Sequence, residues 1–284
     1  MNDLNLRQYI GRKQQEEDLA TAYPVRALAA ALGRDEPEAK PGSEVPPAWH
    51  GLYFLATAPR DSLGQDGLPD ETGIMPALPF PRRMFAGQRM SFHQPIRVGE
   101  RITKETVLTD LTLKEGSTGK LIFATLTIRI SGEQGLCLEE EYDRVFREEV
   151  AAGASNPAPR REPPPEDCAW ESVVKPDSVL LFRYSALTFN PHRIHYDRPY
   201  AIEVEGYPGL VVHRPLSMTL LADFARDSNP GRRMTGFHMR ARAPLFDTAS
   251  FTLLGRPIGD GSACELWAVT PEGTVAMSAG ASFA

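Results

Sequence analysis

A chain of 284 residues with 42% apolar and 24% charged positions fits one large domain or two ordinary ones, each with its own core, and has a soluble globular composition. Its net charge of −6 argues against nonspecific nucleic-acid binding, which relies on clustered lysine and arginine. No apolar run approaches membrane-spanning length, so no membrane partner is expected; the start, Met1-Asn2-Asp3-Leu4-Asn5-Leu6, lacks a basic region followed by an apolar one, and the odd, scattered Cys137, Cys168 and Cys264 form no zinc or disulfide framework, which points to a reducing cytoplasm.

In chain order, residues 25–32 are a helix that Gly33 can end, because glycine accepts the left-handed cap conformation. An antiparallel meander is expected over about residues 88–148. Within it Leu126, Ile128 and Ile130 alternate with Thr125, Thr127 and Arg129, the two-residue period of a strand with one buried face. Glycine-bearing stretches at 115–119 and 131–135 punctuate the meander as turns.

Residues 151–166, rich in proline and small side chains, read as a linker between a first half (1–150) and a second (167–284). The second half is expected to run as a strand (178–187), an irregular segment (188–212) and a helix (213–227). Strands follow near 232–246, 249–257, 262–270 and 274–283. Leu216, Leu220 and Phe224 place an apolar stripe on the helix, which suits one wrapped by sheet. The halves also repeat each other. Arg82-Arg83-Met84 precedes Met90, Pro95-Ile96 and Ile102-Thr103, as Arg232-Arg233-Met234 precedes Met239, Pro244-Leu245 and Phe251-Thr252. From Met90/Met239 to Pro95/Pro244 the spacing is constant, the mark of a duplication.

The chemistry concentrates in the second half. Asn190-Pro191-His192-Arg193-Ile194-His195-Tyr196-Asp197-Arg198-Pro199-Tyr200 packs two histidines, an amide and a carboxylate together, and Gly209-Leu210-Val211-Val212-His213 leads into the helix. Four of the six histidines fall between residues 192 and 238. Histidine titrates near neutral pH, so such crowding suggests proton transfer.

An antiparallel sheet curled round a central helix, occurring twice, is a double hotdog of the α+β class. The chain resembles the double-hotdog acyl-CoA hydratases related to the MaoC-like dehydratases, most closely the itaconyl-CoA and mesaconyl-CoA hydratase branch. The resemblance spans nearly the whole chain. It rests on Pro46-Pro47-Ala48-Trp49-His50, on residues 79–87, and above all on Arg183-Tyr184-Ser185-Ala186-Leu187-Thr188-Phe189-Asn190 through Tyr207-Pro208-Gly209-Leu210-Val211-Val212-His213.

The resemblance implies hydration of an enoyl-CoA thioester, itaconyl-CoA or mesaconyl-C4-CoA giving (S)-citramalyl-CoA in itaconate degradation. It implies no cofactor beyond the coenzyme A of the substrate, and a homo-oligomer such as a dimer of double hotdogs. Matching the single-hotdog pattern Asp-x-Asn-Pro-(Ile/Leu)-His-x-Asp-x-x-Tyr-Ala through Tyr196-Asp197-Arg198-Pro199-Tyr200-Ala201 puts His195 on the catalytic histidine. Asn190 then stands where the family has aspartate, and His192 where it has asparagine. Asparagine takes no proton, so His195 is expected to be the base, Asn190 to orient water, and His192 to share proton transfer. Aligning Asn-Pro literally would instead put Thr188 and Arg193 on the catalytic pair, which is chemically poor.

Arg214 stands where the family commonly has glycine, at the amino end of the central helix. Its N–H, with His213 and Gly209 beside it, is the expected thioester-oxygen site. Its side chain either meets a substrate carboxylate, obstructs the tunnel or points to solvent. Arg82, Arg83, Arg89, Arg240 and Arg242 are candidate anion contacts for the acyl-CoA; Tyr200 is a further contact or, with Asp197, fixes the loop. His192, His195, Asp197 and His213 could be imagined as zinc ligands, but the resemblance implies no metal. The first half holds only His50 and His93 and is expected to shape the tunnel while the second does the chemistry. A 3-hydroxyacyl-thioester dehydratase of fatty-acid synthesis is the alternative enzyme; a silent acyl-CoA binding protein is the alternative of another class.

Overall fold

The computed structural model describes residues 6–35, 39–69, 73–80, 82–116, 119–147 and 162–284. Most of the linker read from sequence (151–161) lies outside them, as do the side chains of Arg82 and Arg83. Ten strands are present among the described residues: β1 (Lys13–Leu19), β2 (Arg82–Phe92), β3 (Arg101–Gly116), β4 (Gly119–Gly132), β5 (Gly135–Arg147), β6 (Trp170–Val174), β7 (Met234–Ala241), β8 (Phe251–Ile258), β9 (Ala263–Val269) and β10 (Val275–Phe283). They make one antiparallel sheet in the order β1-β3-β4-β5-β2-β7-β10-β9-β8-β6. Read inward from either edge, each set of five follows the same order. The sets join at β2–β7, where Gln88 pairs with Met239 and Met90 with Phe237. The repeat also shows in the core, since Met90 and Met239, Ile96 and Leu245, and Ile102 and Phe251 are all buried.

The edge strands are the ones the sequence pattern hides. β1 reads Lys-Gln-Gln-Glu-Glu-Asp-Leu and is mostly exposed. Charge on an edge discourages pairing with other chains, and Lys104 of β3 holds Glu16 at 2.7 Å.

Three α-helices are present among the described residues: α1 (Ala22–Leu32), α2 (Ser178–Leu187), which packs on α1, and α3 (Arg214–Asp227), which packs on the sheet. α1 ends as the sequence suggests, with Gly33 left-handed and its N–H on the Ala29 carbonyl. α2 replaces the strand expected over 178–187. Asp177 caps it by accepting the Leu180 N–H at 2.8 Å. Leu181, Tyr184 and Ser185 form its buried face, a helical spacing that the continuous apolar run concealed. At its far end the Asn190 N–H reaches the Ser185 carbonyl and Phe189 takes the left-handed conformation, φ 49°. This is the hydrogen-bonded stop usually made with glycine, so no glycine signalled it.

α3 is wrapped, as its composition suggests, but on more sides than one stripe. Leu216, Met218, Leu221, Ala222 and Ala225 are buried together with the polar Ser217, Thr219 and Asp223, whereas Leu220 and Phe224 are only partly covered. β7 to β10 cover one side. From the first half, the Trp49 indole N–H donates to the buried Asp223 carboxylate at 3.1 Å. Between α1 and β2 the described residues of the first half form only short turns, 50–52 and 60–62, so α3 is the long helix at the centre of the shared core. Among the described residues no helix is long and apolar enough to cross a membrane.

Candidate active site

The chain leaves α2 through Phe189 into a loop that several contacts make rigid. The Asn190 side-chain oxygen accepts the His192 N–H at 3.0 Å, a turn in which the side chain mimics backbone. Arg193 holds Asp197 at 2.8 Å and lies 4.0 Å over the Tyr200 ring, while the Tyr200 hydroxyl donates to Glu205 at 2.9 Å. Tyr200 and Asp197 therefore fix the loop. The first half closes on it from above, with the Asp66 and Gln65 carbonyls accepting from Arg193. Gly67 makes this possible: its φ is +87°, and a Cβ there would sit 2.1 Å from the Pro191 oxygen.

Inside the loop lie three histidines. His195 is 7% exposed, and its Nδ1 donates to the Val211 carbonyl at 2.8 Å. That bond sets the tautomer and leaves Nε2 as the proton acceptor. His213 stacks on it with ring centroids 3.8 Å apart, and His192 stands edge-on at 5.3 Å. His213 is fully buried, with Nε2 2.8 Å from the Ser185 hydroxyl. Burial, with a smaller contribution from the neighbouring histidines, pushes His195 down to about 4 and His213 to about 2.

The consequence is testable. His195 stays neutral, and able to accept a proton, far below the ordinary histidine value of 6.5. A kcat/KM profile, which reports the free enzyme, should therefore stay flat through pH 6.5 and fall only as pH approaches about 4. An inflection near 6.5 would show that His195 is not the acid-limb group. Stability follows the same sign. Between about 4 and 6.5 the unfolded chain binds a proton at this position that the folded one refuses, so stability is lost as pH falls through that window.

His213 is the N-cap residue of α3 and makes no side-chain capping bond, and Pro215 follows Arg214 in the first turn. Since proline has no N–H, the Arg214 N–H stands at the helix entrance as an uncapped donor. The Arg214 side chain turns toward the first half. It donates to the Tyr142 hydroxyl at 2.7 Å and lies 3.6 Å over the Phe85 ring.

Not every residue singled out in the sequence comes to this place. Gly209 is a packing glycine, where a Cβ would sit 2.6 Å from Thr248 and 2.8 Å from Asp247. That close approach lets Asp247 accept the Leu210 N–H at 2.9 Å. Arg89 and Arg240 line a groove of about 520 Å³ on the outer face of the β2–β7 junction, and Arg89 is engaged by Glu141 and Asp143. Arg242 pairs with Glu162. None of these three points into the histidine cluster. Among the described residues no three His, Cys, Asp or Glu side chains converge as a metal-holding group.

Ser185, Tyr142 and Phe85 have site contacts that the sequence reading gave no role. Only the two-residue period of β5, which puts Tyr142 on the inner face with Leu138 and Phe146, could have flagged one of them. The Asn190 oxygen, for its part, accepts the His192 N–H within the loop turn. Asn190→Asp preserves that acceptor and should retain the loop and most activity. Asn190→Ala should cost on the order of tenfold in kcat by loosening His192 and His195, as small displacements of catalytic groups do. Steady-state rates decide, and an inert alanine variant would remove Asn190 from the site.

Residues 48–247 match the family model described as hydroxyacyl-thioester dehydratase type 2. A mesaconyl-C(4)-CoA hydratase of Chloroflexus aurantiacus is 48% identical over 274 residues, 95% of each chain. The mitochondrial hydroxyacyl-thioester dehydratase type 2 of Schizosaccharomyces pombe is 27% identical, over 81% of this chain and 85% of the relative. Among solved structures, a MaoC-like dehydratase from Phytophthora capsici superposes with a TM-score of 0.72 at 15% identity, covering 96% of both chains. A Mycobacterium tuberculosis protein with a double hotdog fold gives 0.56 at 14% identity, covering 97% of this chain and 96% of that one. The ten-stranded sheet is thus a double hotdog.

Proposed function

Because the chain belongs to the hydroxyacyl-thioester dehydratase type 2 family, we propose that it is a hydro-lyase that adds water to an enoyl-CoA thioester, with mesaconyl-C4-CoA and itaconyl-CoA as substrates and (S)-citramalyl-CoA as product. The observation that carries this reading is His195: a buried, neutral imidazole with Nδ1 fixed on Val211 and Nε2 left as acceptor, beside a helix entrance that offers an uncapped N–H.

In this mechanism the thioester oxygen lies at the start of α3. The Arg214 N–H and the positive end of the helix stabilise the charge that develops as the enolate forms. His195 Nε2 takes a proton from water, and the resulting hydroxide adds to the β carbon. The imidazolium then returns a proton to the α carbon, so one water is consumed and His195 is regenerated. Burial favours this return, because a charged His195 is costly in the site. His213, neutral and stacked, holds the ring in place. His192, edge-on to His195, supports it and can share the proton. For itaconyl-CoA, whose double bond lies one carbon further from the thioester, the same base can first shift the bond. Itaconate degradation in the cytoplasm is the corresponding setting, with the second half doing the chemistry and the first shaping the acyl tunnel.

A second reading, a 3-hydroxyacyl-thioester dehydratase of fatty-acid synthesis, is favoured by the family description and the Schizosaccharomyces pombe relative. A panel of enoyl-CoA esters, followed by absorbance and mass spectrometry, separates the two. Turnover of mesaconyl-C4-CoA well above unbranched monocarboxylic esters supports the first, and the reverse order supports the second.

A further inference from the structure

We infer that Arg214 and Tyr142 form a clasp for the free carboxylate of the acyl group, so that the first half of the chain sets selectivity for dicarboxylic substrates. This rests on the hydratase reading above and assigns the part of the substrate that the reacting groups leave unaddressed.

The Arg214 guanidinium is partly buried, beside the histidine cluster, and is close enough to bear on the charge of His195. Its neighbours among the described residues are neutral: the Tyr142 hydroxyl at 2.7 Å, the Phe85 ring at 3.6 Å and the Tyr142 ring at 5.2 Å. Its Nε is buried without a partner. Arginine in such surroundings is usually paired with a carboxylate, because withdrawing an unpaired charge from water is costly. Other partly buried arginines in this protein follow that pattern, Arg34 with Asp227, Arg226 with Asp223, and Arg256 with Glu265. Here the described residues supply an aromatic shelf and a hydroxyl, and no anion.

Tyr142 is the other half of the clasp. Its oxygen accepts from Arg214, and its own proton has no acceptor among the described residues. Phe85 packs at 5.4 Å from its ring, and Arg144 lies 5.3 Å over the same ring. A planar guanidinium and a phenol side by side present parallel donors to the two oxygens of a carboxylate.

The chemistry of the substrate fits this placement. In mesaconyl-C4-CoA the carboxylate is carried by the β carbon, the one that receives hydroxide. Its negative charge repels the incoming nucleophile, and a cation bound to it relieves that repulsion. Arg214 would then serve the acyl group at both ends, with its backbone N–H at the thioester oxygen and its side chain at the carboxylate.

The test compares mesaconyl-C4-CoA with 3-methylcrotonyl-CoA, which carries a methyl group in place of the carboxylate. The readout is the ratio of the two kcat/KM values. Arg214→Met keeps an unbranched apolar stem over Phe85 and deletes the charge, and should lower the ratio by at least about thirtyfold; a desolvated pairing with a ligand carries an effect of this order. Tyr142→Phe should lower it about fivefold, the effect of one hydrogen bond, and Arg214→Lys should restore part of the loss. Variants that lose both activities in proportion, or leave the ratio unchanged, would overturn the clasp and leave Arg214 as a tie between the halves. If the wild-type protein hydrates neither ester, the hydratase reading fails. The clasp is then judged by calorimetric binding of the two esters: preference for the dicarboxylic ester in the wild type, lost in Arg214→Met, supports it, and equal binding overturns it.

Discussion

His195→Ala lowers the hydration rate at least about a hundredfold while the protein remains folded, the loss expected on removal of a general base. The ring is placed by three independent contacts: Val211 on Nδ1, His213 on its face and His192 at its edge. Alanine leaves the backbone of the loop intact, since Asn190, Arg193 and Asp197 fix it without using the ring. Circular dichroism should therefore be unchanged while turnover collapses. A variant with most of its activity would remove His195 from the mechanism. His192→Ala should cost less, and an equal loss would promote His192 from support to partner in proton transfer.

The second large effect concerns the division of labour between the halves. Expressed alone, residues 167–284 should be insoluble or inactive. Removing the first half strips β2 from β7 and exposes the β7 edge, which favours association with other chains. It also uncovers the side of α3 that meets Trp49, adding newly exposed surface that favours association. The Gln65 and Asp66 carbonyls that steady Arg193 are lost as well. A soluble fragment with full activity would show that the first half plays no part in the site.

Much of this molecule is legible from its residues, and the failures have identifiable causes. The duplication could be read because it recurs at core positions, Met90/Met239 and Ile102/Phe251, where burial constrains the side chain. The strands of the meander could be read from their alternation, and the end of α1 from Gly33. α2 was hidden because its capping aspartate precedes an unbroken apolar run and its left-handed stop is Phe189 instead of glycine. β1 was hidden because an edge strand is solvated and carries no apolar period. At the site, His192, His195 and His213 were legible from chemistry and spacing, and they do come together. The arginines were not sorted by sequence, since whether an arginine faces a ligand, an acidic neighbour or the outer side of the sheet depends on strand pairing. Tyr142 and Ser185 were missed for the same reason, each meeting its partner only through the fold.

The central claim, that this site adds water to a mesaconyl thioester, is tested most directly by incubating the purified protein with mesaconyl-C4-CoA in heavy-oxygen water and following the products by mass spectrometry. The account predicts citramalyl-CoA carrying one heavy oxygen from solvent, formed by the wild-type protein and at a rate lower by at least about a hundredfold by His195→Ala. Unconverted mesaconyl-C4-CoA with the wild-type protein, or equal conversion by both proteins, would contradict it.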